Sequence, residues 1–241
     1  MDRKDELAAN LQRVREQIGE AVEAAGRPAG SVRLIPVSKF HPVTDIVALG
    51  ELGELGVDLV GENREQEARA KAEELAQAGS AVRIAMIGQI QSKKANAVAR
   101  WAAEVHSVDS VKLASGLDRG MELALERGDR TTTLLRCLVQ VSDDGDTARG
   151  GVAYGGLDEV ADAIESAQHL ELGGLMVVPP LGADETAVFS RARERADALG
   201  QRFGRPMDLS AGMSGDFEKA IACGSDIVRV GTGVFGARPV G

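Results

Sequence analysis

The segment that decides the fold is DLSAGMSGDFEKAIACGSDIVRVGTGVFGAR, which spans residues 208–238. Two short strands are predicted here, at 206–210 and 226–231, and small polar residues and glycines follow each strand. Ser214 is predicted to be the N-cap of the helix that follows the first strand. Helix amino-termini present free N–H groups that attract anions. The segment therefore predicts two neighbouring anion-binding loops.

The second loop begins with Gly231 and Thr232, which offer backbone N–H groups and one hydroxyl. The loop matches G-x-G-x-x-G, but the dinucleotide fold needs a further strand and an acidic residue about 20 positions onward. The sequence reaches only to Gly241, so dinucleotide binding is not expected. Barrels frequently bind phosphate with the loops after strands seven and eight, and these two loops hold those places.

Short apolar runs alternate with helical patterns through the rest of the chain, which predicts parallel strands. The eight predicted strands lie at 33–38, 58–61, 83–88, 104–108, 134–141, 170–178, 206–210 and 226–231. Helical stretches between them include 62–78, 110–127 and 184–203. An open doubly wound sheet would show the same alternation. The two phosphate loops favour an α/β fold with a single (β/α)8 TIM-type barrel over residues 1–241.

Two further segments accompany the predicted barrel. Residues 1–27 contain apolar residues at helical spacing and predict an extra N-terminal amphipathic helix that packs on the barrel. The glycine-rich stretch 145–156 is predicted to be a mobile loop after the fifth strand. Cys137 and Cys223 lack metal spacing and are predicted to be buried free thiols, and no metal site is expected.

Composition narrows the class of partner. The chain has 28 basic and 37 acidic residues, a net charge of −9, which opposes binding to nucleic acid or to an anionic membrane. No run of about 18 apolar residues and no apolar leader is present, so a cytoplasmic protein is expected. Small-molecule chemistry is the favoured function.

Lys39 follows the first predicted strand, at the face where barrel active sites are assembled. Desolvation there lowers the pKa of an ammonium group and produces the neutral amine that attacks an aldehyde to form a Schiff base. The alternative is a solvated lysine at a strand exit. By itself the position does not decide between them.

Arg229 lies two residues before Gly231, so the two residues share one side of the last strand. If a pyridoxal 5'-phosphate (PLP) group rests its phosphate on Gly231 and Thr232, Arg229 reaches the pyridine nitrogen and keeps it unprotonated. The alternative is a structural ion pair with Asp226 or Asp208.

Several motifs resemble those of the PLP-homeostasis proteins, a family of barrel proteins similar to the N-terminal domain of bacterial alanine racemase. The motifs cover nearly the whole chain. They are VSK at 37–39, GEN at 61–63 with QE at 66–67, GLM at 174–176 with Pro179, LSAGMSGD at 209–216 and VRVG at 228–231.

The resemblance implies a Schiff base between PLP and Lys39, with Asn63 lining the pocket. It also implies phosphate contacts from Ser214, Gly231 and Thr232, and Arg229 at the pyridine nitrogen. The chain departs from the family pattern in its third-strand block, at Ala85, Met86, Gln89 and Lys93 with Lys94 retained, and in its fifth, at Ser142 and Arg149. Partner or second-ligand roles of those loops are therefore not carried over.

The resemblance further implies a noncatalytic carrier of PLP in vitamin B6 and amino-acid homeostasis, with apo PLP-dependent enzymes as recipients. A monomer is expected. One alternative is a PLP-dependent amino-acid racemase, which needs an acid or base on each face of its substrate. Another is a barrel enzyme for phosphorylated metabolites that does not use PLP.

Few residues are available as the second base of a racemase. Tyr154 is predicted to be a solvated loop residue, and His41 to be exposed near the mouth of the barrel. His106 and His169 are predicted to be structural residues at strand edges. With one face lacking an assigned base, Lys39 is interpreted as an anchor for the cofactor.

Overall fold

The computed structural model describes residues 2–237, in which eight parallel strands form a barrel and a short ninth strand lies beside it. The strands are β1 Arg33–Pro36, β2 Leu59–Glu62, β3 Arg83–Met86, β4 Ala102–Val108, β5 Leu135–Ser142, β6 Val152–Ala153, β7 Leu170–Val177, β8 Asp208–Ser210 and β9 Ile227–Val230. All eight predicted strands overlap strands of the barrel, which confirms the predicted (β/α)8 fold.

The barrel closes through β1, which has a neighbour on each side. Ile35 lies opposite Arg229 in the parallel pairing of β1 with β9. On the other side Val37 bridges Gly61, and the N–H of Ser38 donates to the Gly61 carbonyl over 3.0 Å. The ring therefore runs β1, β2, β3, β4, β5, β7, β8, β9 and returns to β1.

The helices surround this ring. They are α1 Arg3–Ala24, α2 Val43–Gly50, α3 Glu65–Gln77, α4 Ala95–Trp101, α5 Val111–Glu126, α6 Leu157–Glu165, α7 Glu185–Phe203, α8 Phe217–Ala222 and α9 Thr232–Phe235. None of the helices in residues 2–237 combines the length and apolar character that crossing a bilayer requires.

Inside the ring, an apolar cluster is formed by one side chain from each of six strands. These are Ile35, Leu59, Ala85, Leu138, Met176 and Ile227. Packed side chains of this kind fill the interior of a barrel, and active sites are built at the carboxyl ends of the strands.

Helix α1 packs on the outside, as predicted. An aspartate capping box starts it, because Asp2 accepts from the N–H of Asp5 and Asp5 accepts in return. Five apolar residues on one face, Leu7, Leu11, Val14, Ile18 and Val22, are buried against β9, α8 and α9. Each contributes roughly 1.5–3 kcal/mol. The predicted unit of residues 1–241 extends at both ends outside the described residues.

The segment 145–156, predicted to be a mobile loop, contains short regular elements, the first of which is one turn of 3-10 helix at Thr147–Arg149. Val152 and Ala153 form β6, which pairs in parallel with Val141 and Ser142 of β5, and one turn of 3-10 helix follows at Tyr154–Gly156. The backbone of this part of the segment is therefore tied to the barrel.

Candidate functional site

Lys39 lies at the mouth of the barrel. It stands in a turn directly after β1, closed by the His41 N–H donating to the Ser38 carbonyl over 3.0 Å, and β1 pairs with β9, where Ile35 lies opposite Arg229. Lys39 is partly exposed, and no hydrogen bond or ion pair joins its ammonium group to another residue within 2–237. Its amine is therefore available to a ligand.

The turn that carries Lys39 is held from outside the barrel by a buried polar cluster, which we call the lysine-turn network. Its members are Ser38, Phe40, Glu62, Glu67 and Lys71. Lys71 Nζ donates to the Ser38 carbonyl over 2.8 Å, to Glu62 Oε1 over 2.6 Å and to Glu67 Oε1 over 2.8 Å. The Ser38 hydroxyl donates to Glu62, and the N–H of Phe40 donates to Glu67. Both residues that flank Lys39 are thereby fixed.

Phe40 has φ of 69°, which is the only positive φ at a non-glycine residue within 2–237. Such a conformation costs about 1–3 kcal/mol and persists only where its surroundings enforce it. The contact from Phe40 N–H to Glu67 supplies such enforcement. Burial would raise the pKa of Glu67, but the hydrogen bonds from Lys71 and Phe40 hold it below its ordinary value. Glu67 is therefore kept ionised beneath the turn.

Arg229 is 4% exposed and lies beside the apolar cluster, because its partner in the pairing of β1 with β9 is Ile35. Its Nη1 donates to Ser210 Oγ over 2.7 Å and its Nη2 to the Val177 carbonyl over 3.1 Å. Burial lowers the pKa of Arg229 to about 10. A guanidinium has five N–H groups, so three remain for a ligand.

The alternative of an ion pair for Arg229 is not observed within 2–237. Asp226 is paired with Arg27 and Arg193, and Asp208 with Arg136. A buried arginine without a carboxylate partner is costly, so its free donors are a mark of a binding site.

His106 connects Arg229 to the far end of the barrel. Its Nδ1 lies 3.1 Å from Ser210 Oγ and its Nε2 lies 2.9 Å from Glu104 Oε2. The Glu104 carboxylate in turn accepts hydrogen bonds from Arg33 Nη1 and Nη2, over 2.6 and 2.7 Å. The prediction that His106 lies at a strand edge is wrong, since its side chain is wholly buried in the interior.

The two phosphate loops lie beside each other at the ends of β8 and β9. Ser214 and Thr232 are exposed there, and Gly231 precedes the short helix α9. The predicted N-cap Ser214 is wrong: α8 begins at Phe217 and its N-cap is Asp216, whose carboxylate accepts from the N–H of Met213. The Ser214 hydroxyl is therefore free of a capping role and faces solvent.

Asn63 follows β2, and its backbone lies against Gly88. A Cβ atom added to Gly88 would come within 2.1 Å of the Asn63 carbonyl oxygen, so the two segments are in close contact. The side-chain oxygen of Asn63 is buried and accepts no hydrogen bond from the described part of the chain. An orphaned buried acceptor costs about 1–3 kcal/mol. A ligand donor at this position would remove that cost.

The predictions for Tyr154 and His41 are wrong. Tyr154 is not solvated: its ring packs under Arg195, 5.5 Å from the guanidinium, and burial together with nearby Asp143 raises its pKa to about 12. His41 is 5% exposed and stacks on Phe235 at 4.9 Å, and burial lowers its pKa. Both belong to the layer outside the strands.

Three other predictions concern residues away from the mouth. Cys137 is a buried free thiol as predicted, whereas Cys223 is free but partly exposed. His169 is held by Asp118 Oδ1 over 3.2 Å, which agrees with a structural role. Across residues 2–237 no cluster of three histidine, cysteine or acidic side chains is suited to a metal.

Sequence reasoning missed Glu62, Lys71, Glu104 and Ser210. Lys71 is four residues after Glu67, a spacing typical of a solvated helix pair. Glu104 and His106 are two residues apart on a predicted strand, which was a signal that both face the same side.

Comparisons with known proteins agree with this geometry. The family model described as alanine racemase, N-terminal domain, matches residues 4–239. A pyridoxal phosphate homeostasis protein of Corynebacterium glutamicum is 54% identical over 224 residues, which cover 93% of this chain and 98% of the relative.

Two solved structures share the fold. PipY from Synechococcus elongatus, described with PLP bound, is 34% identical with a TM-score of 0.77, and the match covers 95% of this chain and 100% of PipY. An alanine racemase from Corynebacterium glutamicum is 20% identical with a TM-score of 0.65, and the match covers 98% of this chain but 62% of the racemase. The chain therefore belongs to the alanine racemase N-terminal domain family and, within it, to the pyridoxal phosphate homeostasis proteins.

Proposed function

We propose that this chain binds PLP as a Schiff base on Lys39 and serves as a noncatalytic PLP-binding protein in vitamin B6 and amino-acid homeostasis. The observation that carries the proposal is the Lys39 amine, which has no hydrogen bond or ion pair within 2–237, in the turn after β1, the strand that pairs with the strand of Arg229. A relative in the same family is described with PLP bound.

The residues at the mouth fit each part of the cofactor. Lys39 would bond to the aldehyde carbon, and the free N–H groups of Arg229 would face the pyridine nitrogen. Ser214, Thr232 and the backbone of Gly231 would hold the phosphate. Asn63 brings an unpaired acceptor to the pocket.

Bound PLP supplies an electron-withdrawing ring, and Arg229 limits that withdrawal because a guanidinium does not give its proton to the ring nitrogen. A weakly withdrawing ring also suits reversible proton removal from an amino acid, so the noncatalytic proposal depends on the absence of a second base at the mouth among the described residues. Lys39 then acts as an anchor, held in place by the lysine-turn network.

An absorption spectrum tests the binding proposal. Purified protein with PLP should show a Schiff-base band near the edge of the visible range, and Lys39→Ala should abolish it. Lys93→Ala is the matched control, because Lys93 is exposed in the loop after β3. A band that survives in Lys39→Ala, or no band in the wild type, would reject the proposal; the latter would favour a phosphate-metabolite barrel.

The racemase alternative requires a second base at the mouth. Tyr154 and His41, the two residues considered for it, lie in the outer layer instead. Alanine turnover by the wild type that is lost in Tyr154→Phe or His41→Ala would replace the noncatalytic proposal. We expect no turnover.

We further propose a cytoplasmic monomer that passes PLP to apo PLP-dependent enzymes. Holoprotein mixed with such an apoenzyme should restore its activity faster than a Lys39→Ala preparation supplied with equal total PLP. Equal rates would argue against transfer. Light scattering during gel filtration measures the oligomeric state, and a dimer mass would correct it.

A further inference from the structure

A continuous polar chain, which we call the barrel relay, leads from the exposed Arg33 side chain into the interior of the barrel. Its members are Arg33, Glu104, His106, Ser210 and Arg229, which come from β1, β4, β8 and β9. It runs from Arg33, the first residue of β1, to Arg229 in β9, beside the apolar cluster of the interior. Polar groups in such a place are costly unless every contact is satisfied, so its arrangement is tightly constrained.

Charges fix the direction of the hydrogen bonds in the relay. Hydrogen bonds from His106 and Arg33 hold the pKa of Glu104 below its ordinary value despite burial, so Glu104 is an ionised acceptor. The His106 Nε2–H therefore donates to Glu104, and burial keeps the imidazole neutral by lowering its pKa. His106 Nδ1 is then an acceptor and takes the hydroxyl proton of Ser210.

This direction determines that Ser210 is a hydrogen-bond acceptor toward Arg229. Because the Ser210 O–H points to His106, its oxygen lone pairs face Arg229 Nη1 and accept its N–H at 2.7 Å. The charged groups that face His106 are Glu104 on its own strand, and Arg33 and Arg229 on neighbouring elements. Glu104 is thus linked to Arg229 by hydrogen bonds through two side chains, His106 and Ser210, whereas Asp216 is the carboxylate whose charge acts on the guanidinium.

We propose that Glu104, His106 and Ser210 are positioning residues that orient the Arg229 guanidinium and set its donor strength toward the ring nitrogen of the bound cofactor. The inference rests on the proposed binding of PLP. It goes beyond that proposal because it assigns a role to three residues that do not reach the ligand. A purely structural role would place the same residues in contact but would leave the spectrum of the cofactor unchanged.

Two variants break the relay at different points. Ser210→Ala removes one of the two acceptors of Arg229 and leaves the Val177 carbonyl, and Glu104→Gln removes the charge while keeping an acceptor for His106. Asp118→Asn is the matched control for Glu104→Gln, because Asp118 also binds a histidine, His169, but has no link to Arg229. Arg229→Gln is the reference for complete loss of the guanidinium.

The first measurement is the pH titration of the PLP absorption band together with the dissociation constant of PLP. Ser210→Ala should shift the titration midpoint in the same direction as Arg229→Gln and weaken binding about tenfold, as expected for a lost charge-assisted hydrogen bond. Glu104→Gln should shift the midpoint in that direction by less, and Asp118→Asn should not shift it. Unchanged midpoints in both relay variants would overturn the proposal.

The second measurement needs no cofactor. Nitrogen-15 spectra of the histidine rings should show neutral His106 with its proton on Nε2 at neutral pH, and Ser210→Ala and Glu104→Gln should change this tautomer signal. A proton on Nδ1 in the wild type would overturn the relay even if PLP binds. A wild type with the expected tautomer but no PLP band would reject the proposed function and leave the direction of the relay standing.

Discussion

Two buried polar networks support the mouth of this barrel, and they do so in different ways. The lysine-turn network lies outside the strands and fixes the backbone on either side of Lys39. The barrel relay lies inside the strands and fixes the side chain of Arg229 itself. The first leaves the Lys39 amine without a partner, whereas in the second the Arg229 guanidinium donates a hydrogen bond to Ser210 Oγ.

The difference follows from what each cation is proposed to do. A lysine that bonds covalently to a ligand needs a free amine on a rigid turn, so its support must act through the main chain. An arginine that only donates hydrogen bonds needs a fixed orientation, so its support must contact the guanidinium. In the lysine-turn network and in the barrel relay, charged side chains are paired in a way that positions Lys39 or Arg229. Such pairs do not need to increase the net stability of the fold.

The largest expected effect comes from breaking the lysine-turn network at its centre. Lys71→Met leaves the carboxylate of Glu62, which is wholly buried, and that of Glu67 without their cation. Loss of one partner of a buried ion pair costs about 3–5 kcal/mol. Urea denaturation measures this change in the free energy of unfolding.

Lys219→Met is the control for that substitution, because Lys219 pairs with Glu185 on the surface. It should leave the denaturation midpoint unchanged. A Lys71→Met protein as stable as the control would show that the network does not hold the turn.

The next largest expected effect is on the stability of the protein in acid, and it depends on Glu104 of the barrel relay. The pKa of Glu104 in the folded state lies below its ordinary value of 4.5, so its contribution to stability is present above about pH 4.5 and is lost as the pH falls below it. Glu104→Gln should therefore be less stable than the wild type at neutral pH. The difference between their free energies of unfolding should become smaller in acid.

Thermal or urea unfolding between neutral pH and pH 3 tests this expectation. Asp118→Asn should give a smaller gap, since Asp118 is not part of a buried chain. A gap for Glu104→Gln that stays constant over the whole pH range would contradict the assigned ionisation of Glu104.

The smallest expected effect comes from removing the Lys39 side chain, and it distinguishes Lys39 from Lys71 most clearly. Lys39→Ala should change the stability of the protein without PLP by no more than about 0.5 kcal/mol, because its ammonium has no partner within 2–237. Urea denaturation beside Lys71→Met makes the comparison direct. A large loss in Lys39→Ala would mean that Lys39 has a structural role.

Much of this arrangement could be predicted from the sequence. The eight strands, the place of Lys39 at a strand end and the two loops after β8 and β9 follow from patterns within single elements. Arg229 was placed on the correct side of its strand because alternation along a strand is local.

The two networks could not be predicted in the same way. Lys71 and Glu67 look like a solvated helix pair, and only the packing of α3 against β2 buries them with Glu62. Ser214 and Asp216 are equally good capping residues, so sequence alone could not choose between them. Contacts between distant strands, such as His106 with Ser210, depend on closure of the barrel.

The most direct test of the account is the site of covalent attachment. Reduction of the PLP-loaded protein with borohydride, followed by peptide mass spectrometry, should place the reduced PLP group on Lys39. Lys71 should remain unmodified, because its amine is buried and hydrogen-bonded three times. Attachment to another lysine, or none after loading, would contradict the central claim.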